Sequence, residues 1–205
     1  MATTEAPETR PQTAFVPGAH LADPAALGLG GFALTTFVLS VANAGWMSAE
    51  QVVFGLALAY GGLAQLLAGM WEFAKRNTFG ATAFSSYGAF WLSFWYLTGH
   101  TDLTGLQATD VTTGIGWYLL AWGIFTTYMA VASTRTNTAV LTVFVLLAAT
   151  YYILAVGNWL NGSDFWITLG GYVGLATAVA AWYASFATVC NWAFKRTVLP
   201  VGPRA

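Results

Sequence analysis

Glu72 stands three residues before Lys75 and four before Arg76, a spacing at which side chains meet on a helix surface. An acid placed there can do one of two things. It can form an interfacial ion pair, or it can act as a proton-responsive carboxyl at the end of an apolar segment. Asp23 is the second acid set against an apolar run. It precedes Pro24-Ala25-Ala26-Leu27-Gly28-Leu29-Gly30-Gly31-Phe32, so it can cap a helix whose first position suits Pro24. The positive end of that helix and the accessible backbone of its glycines could receive an anion. An ionised Asp23 would compete for the same place.

The remaining candidates are neutral. Thr35, Thr36, Ser40 and Asn43 follow the first cap, and Gln65, Ser85, Ser86, Tyr87, Thr126, Thr127 and Asn158 lie in later apolar stretches. Such groups need partners in an apolar medium. They either bond between helices or line a narrow pore, where hydroxyls and amides replace part of the water around a carboxylate without trapping it. His20 and His100 lie far apart outside the apolar segments, Cys190 is the single cysteine, and no lysine falls deep in an apolar run. This excludes a disulfide, a Cys/His metal site and a buried Schiff-base lysine. Nucleophile–base chemistry of an embedded enzyme is also missing. No metal or cofactor is expected.

The elements that must hold these residues are read from hydropathy. The chain has 205 residues, 57% of them hydrophobic and 7% charged, against roughly 25% charged in soluble domains. So few charges cannot clothe a water-facing surface, and a net charge of -1 offers no field for nucleic acid. Lipid contact replaces the missing charge. A crossing helix needs about 20 apolar residues. Six stretches qualify: Leu27–Ala44, Val52–Trp71, Ala81–Thr98, Thr113–Ala132, Ala139–Val156 and Trp166–Cys190. The expectation is an all-α integral membrane protein of six transmembrane helices over residues 23–195. A polar tail, residues 1–22, precedes it and a short one, 196–205, follows.

Charge sets the direction. Arg10, Lys75, Arg76, Arg135, Lys195, Arg196 and Arg204 fall in the tails and alternate connections, while Glu50, Asp102, Asp110 and Asp164 occupy the others. By the positive-inside rule both termini are cytoplasmic. Trp46, Trp159 and Trp166 then flank the outer ends, and Trp71 and Trp192 the inner ends, where indole prefers to sit. Gly55, Ala59 and Gly62 are expected on one face of the second span. Gly170 and Gly174 form a GxxxG pair in the sixth, suited to close helix contact.

Several stretches resemble the acetate uptake transporter family, the succinate–acetate permease or GPR1/FUN34/YaaH family. Asp23-Pro24-Ala25-Ala26-Leu27-Gly28-Leu29 is similar to its Asn-Pro-Ala-Pro-Leu-Gly-Leu signature, departing at Asp23 and Ala26. Gly61-Gly62-Leu63-Ala64-Gln65, Ala68-Gly69-Met70-Trp71-Glu72-Phe73, Asn77-Thr78-Phe79-Gly80 and Ser86-Tyr87-Gly88-Ala89-Phe90-Trp91 form a longer and more specific match. Leu154-Ala155-Val156-Gly157-Asn158 and the segment Arg196 to Gly202 extend it. The resemblance implies a homohexamer with one pore per protomer in the cell membrane, passing acetate and in some members succinate, as a channel or a proton-linked permease. It also implies a constriction at Phe32, Tyr87 and Leu147, with Leu147 placed by counting back from Gly157-Asn158. An apolar ring there would resist a hydrated ion, and the Tyr87 hydroxyl would offer a donor to a carboxylate. The path would run past Asp23, Pro24, Leu27, Gly28, Leu29, Thr35, Thr36, Gln65, Ser86, Phe90, Trp91 and Asn158, with Glu72 and Asp23 as proton-linked groups. A carboxylate at Asp23 repels an anion unless protonated or paired. The competing reading is a channel for small neutral solutes such as urea or amides, which the same neutral lining would serve.

Overall fold

The computed structural model describes residues 21–204; the first twenty residues, His20 among them, and Ala205 lie outside the described part. The long apolar runs form helices, as a chain with few polar groups must when its backbone amides have no water to bond. α1 is Ala25–Asn43, α2 is Phe54–Leu58, α3 is Gln65–Ala74, α4 is Thr78–Gly99, α5 is Ala108–Ser133, α6 is Thr138–Trp159 and α7 is Asp164–Phe194. α2 and α3 are halves of one rod, entered through a 3₁₀ turn at Glu50–Val53 and joined by a π-helical turn at Ala59–Ala64. Each expected span falls on a helical rod, with ends displaced by a few residues.

Five rods, α1, Glu50–Ala74, α5, α6 and α7, are long and apolar enough to cross a membrane on their own composition. α4 is less apolar because it carries Thr82, Ser85, Ser86, Tyr87 and Ser93. Its 22 residues still run the length of the bundle, about 33 Å at the helical rise. It begins beside Glu72 at one end, and Gly99 packs on Phe54 at the other. Enclosure by its neighbours takes the place of apolarity: Ala81, Ala83, Phe84, Tyr87, Phe90 and Trp91 are all buried.

Small residues set the spacing between helices. An added Cβ at Gly28 would fall 2.6 Å from the Phe84 ring, one at Gly31 2.6 Å from the Tyr60 carbonyl oxygen, and one at Gly61 2.6 Å from Thr35 Oγ1. The first-helix glycines therefore admit neighbouring helices and do not leave backbone open to an anion. Gly170 packs on Leu154 and Gly174 on Ser40, seating α7 against α6 and α1 as the GxxxG spacing suggests. The expected stripe of Gly55, Ala59 and Gly62 does not form. The π turn widens the coil between them, so Gly55 faces open space while Gly62 packs on Leu92. Trp46, Trp71 and Trp192 are exposed at rod ends, in keeping with an interfacial role.

Candidate functional site

Two cavities lie within the bundle. One, of about 370 Å³, opens at the end where α1 starts and α7 finishes, and is lined by Asp23, Gln65, Glu72, Lys75, Asn77, Phe79 and Phe84 among others. We call it the tail-side cavity. The far cavity, of about 240 Å³, is lined by Thr36, Ser40, Asn43, Glu50, Phe90, Trp91, Tyr118, Thr150, Tyr151 and Asn158 among others. Phe32 and Leu147 line both, so they stand where the cavities adjoin. Tyr87 lines the tail-side cavity, with its ring centroid 5.9 Å from that of Phe32. Phe32, Tyr87 and Leu147 come from α1, α4 and α6 and are each 4% exposed or less. Counting back from Gly157-Asn158 thus reached a residue at the junction.

Tyr87 differs from expectation in one respect. Thr126 Oγ1 donates to the Trp122 carbonyl at 2.7 Å and lies 2.8 Å from the Tyr87 hydroxyl. A threonine has one proton. Since it goes to Trp122, Tyr87 donates to Thr126, and no Tyr87 proton is left for a carboxylate. Trp122, Phe125 and Phe144 enclose its ring, at centroid distances of 6.1, 5.4 and 6.0 Å. The junction therefore presents hydrocarbon and ring surface.

At the tail-side mouth the expected pairs are re-dealt. Lys75 Nζ reaches Asp23 Oδ1 at 3.1 Å, not Glu72, and the same oxygen accepts from the Ala25 N–H. Asp23 thus caps α1 as its position suggests. Its charge meets an ammonium, which removes the repulsion expected of an unpaired carboxylate. Glu72 is fully buried. Asn77 Nδ2 donates to Glu72 Oε2 at 2.9 Å while Asn77 Oδ1 accepts from the Gly80 N–H at 3.1 Å. The α4 cap fixes which way the Asn77 amide points, and that orientation aims a donor at the carboxylate. Glu72 Oε1 and Gln65 Oε1 are buried with no partner. The surface ion pair of Glu72 with Lys75 and Arg76 is therefore replaced by a buried carboxyl, covered by Asn77 and Gly80 just past the chain reversal at Arg76, whose φ is 60°.

The polar groups divide sharply. Thr35, Thr126 and Thr127 donate back to carbonyls on their own helices and line neither cavity. Ser86, Pro24, Leu27 and Gly28 also line neither, so they lie off the expected path. Leu29 and Gln65 line the tail-side cavity, and Phe90, Trp91, Thr36 and Asn158 the far one. Thr36 Oγ1 and Trp91 Nε1 are buried without partners, and an unbonded buried donor costs about 1–3 kcal/mol. Asn158 Nδ2 bonds the Leu154 carbonyl.

Sequence reasoning passed over Asn77, Tyr118 and Tyr151. Asn77 carried a signal, since Asn before a helical run favours capping. The aromatics carried one too. Tyr87, Phe90, Trp91 and Phe94 recur at helical intervals, and Phe90 lies 5.8 Å from Tyr118 and 5.5 Å from Tyr151 between ring centroids.

Comparison with known proteins places this geometry. A family model described as the GPR1/FUN34/yaaH family matches residues 6–203. The Saccharomyces cerevisiae protein named ammonia transport outward protein 2 is 41% identical over 189 residues, covering 88% of this chain; the chain spans 66% of that longer protein. The Escherichia coli succinate-acetate/proton symporter SatP is 39% identical over 184 residues, covering 89% of this chain and 96% of SatP. A solved structure of the bacterial acetate channel SatP superposes with a TM-score of 0.81 at 38% identity, covering 89% of this chain and 99% of that one.

Proposed function

Since the chain belongs to the GPR1/FUN34/yaaH family, whose relatives named above are transporters or a channel and not enzymes, we propose that it passes acetate, and succinate by the same route, across the membrane in which it is a multi-pass protein. The observation that carries this reading is the pair of cavities meeting at Phe32 and Leu147, with Tyr87 beside them. A carboxylate sheds water at this junction and regains polar contacts on either side. The apolar walls resist a fully hydrated ion.

The tail-side cavity faces the cytoplasm in this reading, because the lysines and arginines of the connections gather at that end. Carrying a lone anion inward against an inside-negative potential costs about 2.3 kcal/mol per charge per 100 mV, and a proton moving with it cancels that cost. Glu72 is the better-placed proton holder, with one carboxyl oxygen unpartnered at the cavity wall. Asp23 is engaged with Lys75. The protomers assemble as a homohexamer, burying part of the apolar surface that α3, α5 and α7 leave exposed.

Uptake of labelled acetate into proteoliposomes, with an imposed pH gradient and a clamped potential, tests the proposal. Protein-free vesicles are the control, because acetic acid crosses bilayers unaided. Flux above that control, competed by succinate, supports the reading. Accumulation driven by the pH gradient alone identifies proton coupling, and flux following the potential alone identifies an anion channel. Flux equal to the control rejects acetate and brings forward the neutral-solute channel.

A further inference from the structure

The chain does not trail away after its last helix. Lys195 adopts left-handed backbone, φ 55°, and ends α7. The segment that follows folds back and is held at several points. Asn191, in the last turns of α7, accepts with Oδ1 from the Val198 N–H at 2.7 Å and the Leu199 N–H at 2.9 Å, and its Nδ2 donates to the Leu199 carbonyl at 2.9 Å. The Tyr183 hydroxyl donates to the Pro200 carbonyl at 2.6 Å. The Val201 and Gly202 carbonyls accept from the Ala139 and Thr138 N–H groups at 3.1 and 2.8 Å. These are opening amides of α6, which have no partner within their own helix. Gly202 has φ 64° and approaches Thr138 so closely that a Cβ would lie 2.8 Å from Thr138 Oγ1. The Arg204 N–H closes the clasp on the Thr136 carbonyl at 3.0 Å.

This strap also reaches the cavity. Val201 lines the tail-side cavity beside Thr136, Asn137 and Val140. It brings hydrocarbon to the wall, whereas Thr138 and Ala139, whose amides the strap occupies, line an outer groove with Tyr183 and Pro200 and not the cavity.

We propose that residues 197–204 are a working wall of the tail-side cavity, in which Val201 determines specificity by limiting the size of carboxylate admitted and Asn191 is the positioning residue that holds it there. This rests on the carboxylate reading above. The strap keeps the inner exit narrow, so a small anion leaves and a larger one is disfavoured. Loosening it lets Val201 withdraw and widens the exit.

The test compares wild type, Val201→Ala and Asn191→Ala in proteoliposomes, with acetate and succinate as probes. Val201→Ala leaves every backbone bond of the strap in place and should raise the succinate-to-acetate flux ratio by about threefold or more. Asn191→Ala should raise the same ratio in the same direction, by about twofold or more. A merely structural Asn191 would reduce active protein and lower both fluxes by one factor, leaving the ratio in place. An unchanged flux ratio in both variants overturns the proposal. If wild type carries neither acid, the carboxylate reading fails by itself. The strap is then judged by labelling Val201→Cys, in a Cys190→Ala background, with a water-soluble methanethiosulfonate. Asn191→Ala should speed that labelling by about tenfold, and equal rates overturn the strap's placement.

Discussion

The two cavities share ring-lined walls and differ in their polar groups. The tail-side cavity holds the Asp23–Lys75 ion pair and the buried Glu72, with its charges engaged by Lys75 and Asn77. The far cavity is a basin of rings, Phe90, Trp91, Tyr118 and Tyr151, with Glu50 among its lining. Its polarity comes from Glu50 and from neutral groups such as Thr36, Thr150 and Asn158. The difference teaches that one path can separate its tasks. In the transport reading, charge management sits at one end, neutral donors serve the other, and the apolar junction between them is where a carboxylate sheds its water.

The sharpest way to break that comparison is to fill the junction. Tyr87→Trp enlarges a ring already packed against Phe32, Phe125 and Phe144. Acetate flux should fall by more than about tenfold in proteoliposomes while the protein stays folded by circular dichroism, since surplus volume in a packed region costs roughly 1–3 kcal/mol. Undiminished flux would show that the path does not pass between the cavities.

Next in size is the charge contrast. Glu72→Gln should remove uptake driven by a pH gradient and flatten its dependence on pH, leaving flux driven by potential. Glu50→Gln at the far cavity should leave both. A wild-type response to the pH gradient in Glu72→Gln would move the proton elsewhere.

The far cavity can be tested one donor at a time. Trp91→Phe deletes an unpartnered N–H and Thr36→Val an unpartnered hydroxyl. If each bonds the passing carboxylate, acetate KM should rise about fivefold per variant, the equivalent of roughly 1 kcal/mol. If neither touches substrate, KM holds and thermal stability rises, because an unmet buried donor has been removed.

The smallest effect is expected at the mouth. Asp23→Asn releases Lys75 from a partly exposed pair of the kind worth about 0–1 kcal/mol. Folding should barely change. The freed ammonium should lower acetate KM by no more than about twofold, and added salt should erase the gain.

Much of the architecture was legible because hydropathy is a property of single residues summed along the chain. Each expected span matched a rod even where α4 was too polar to qualify alone. Phe32, Tyr87 and Leu147 were picked out through resemblance to the family, and all three line the tail-side cavity. What escaped depends on the third dimension. Nothing local says that Lys75 would turn from Glu72 to Asp23, which lies 52 residues away in sequence. Nothing local commits the Tyr87 proton to Thr126, which is supplied from α5. The hold on the C-terminal tail was not legible, because its partners, Thr136, Thr138 and Ala139, lie some sixty residues away.

The π turn at Ala59–Ala64 carries a consequence for how this gene can vary. A π turn houses one more residue than the α-helical turn it replaces, so all that follows is rotated by about 100° relative to an uninterrupted helix. Gln65 and Glu72 lie seven residues apart, two turns along one stripe, and both are aimed at the tail-side cavity by that single surplus residue. A one-codon deletion in this stretch would heal the helix into regular form and shorten it by almost nothing. It would also swing both groups off the cavity wall in concert. A change that tidies the backbone would thus strip the cavity wall of both groups, and indels here should be far rarer than substitutions.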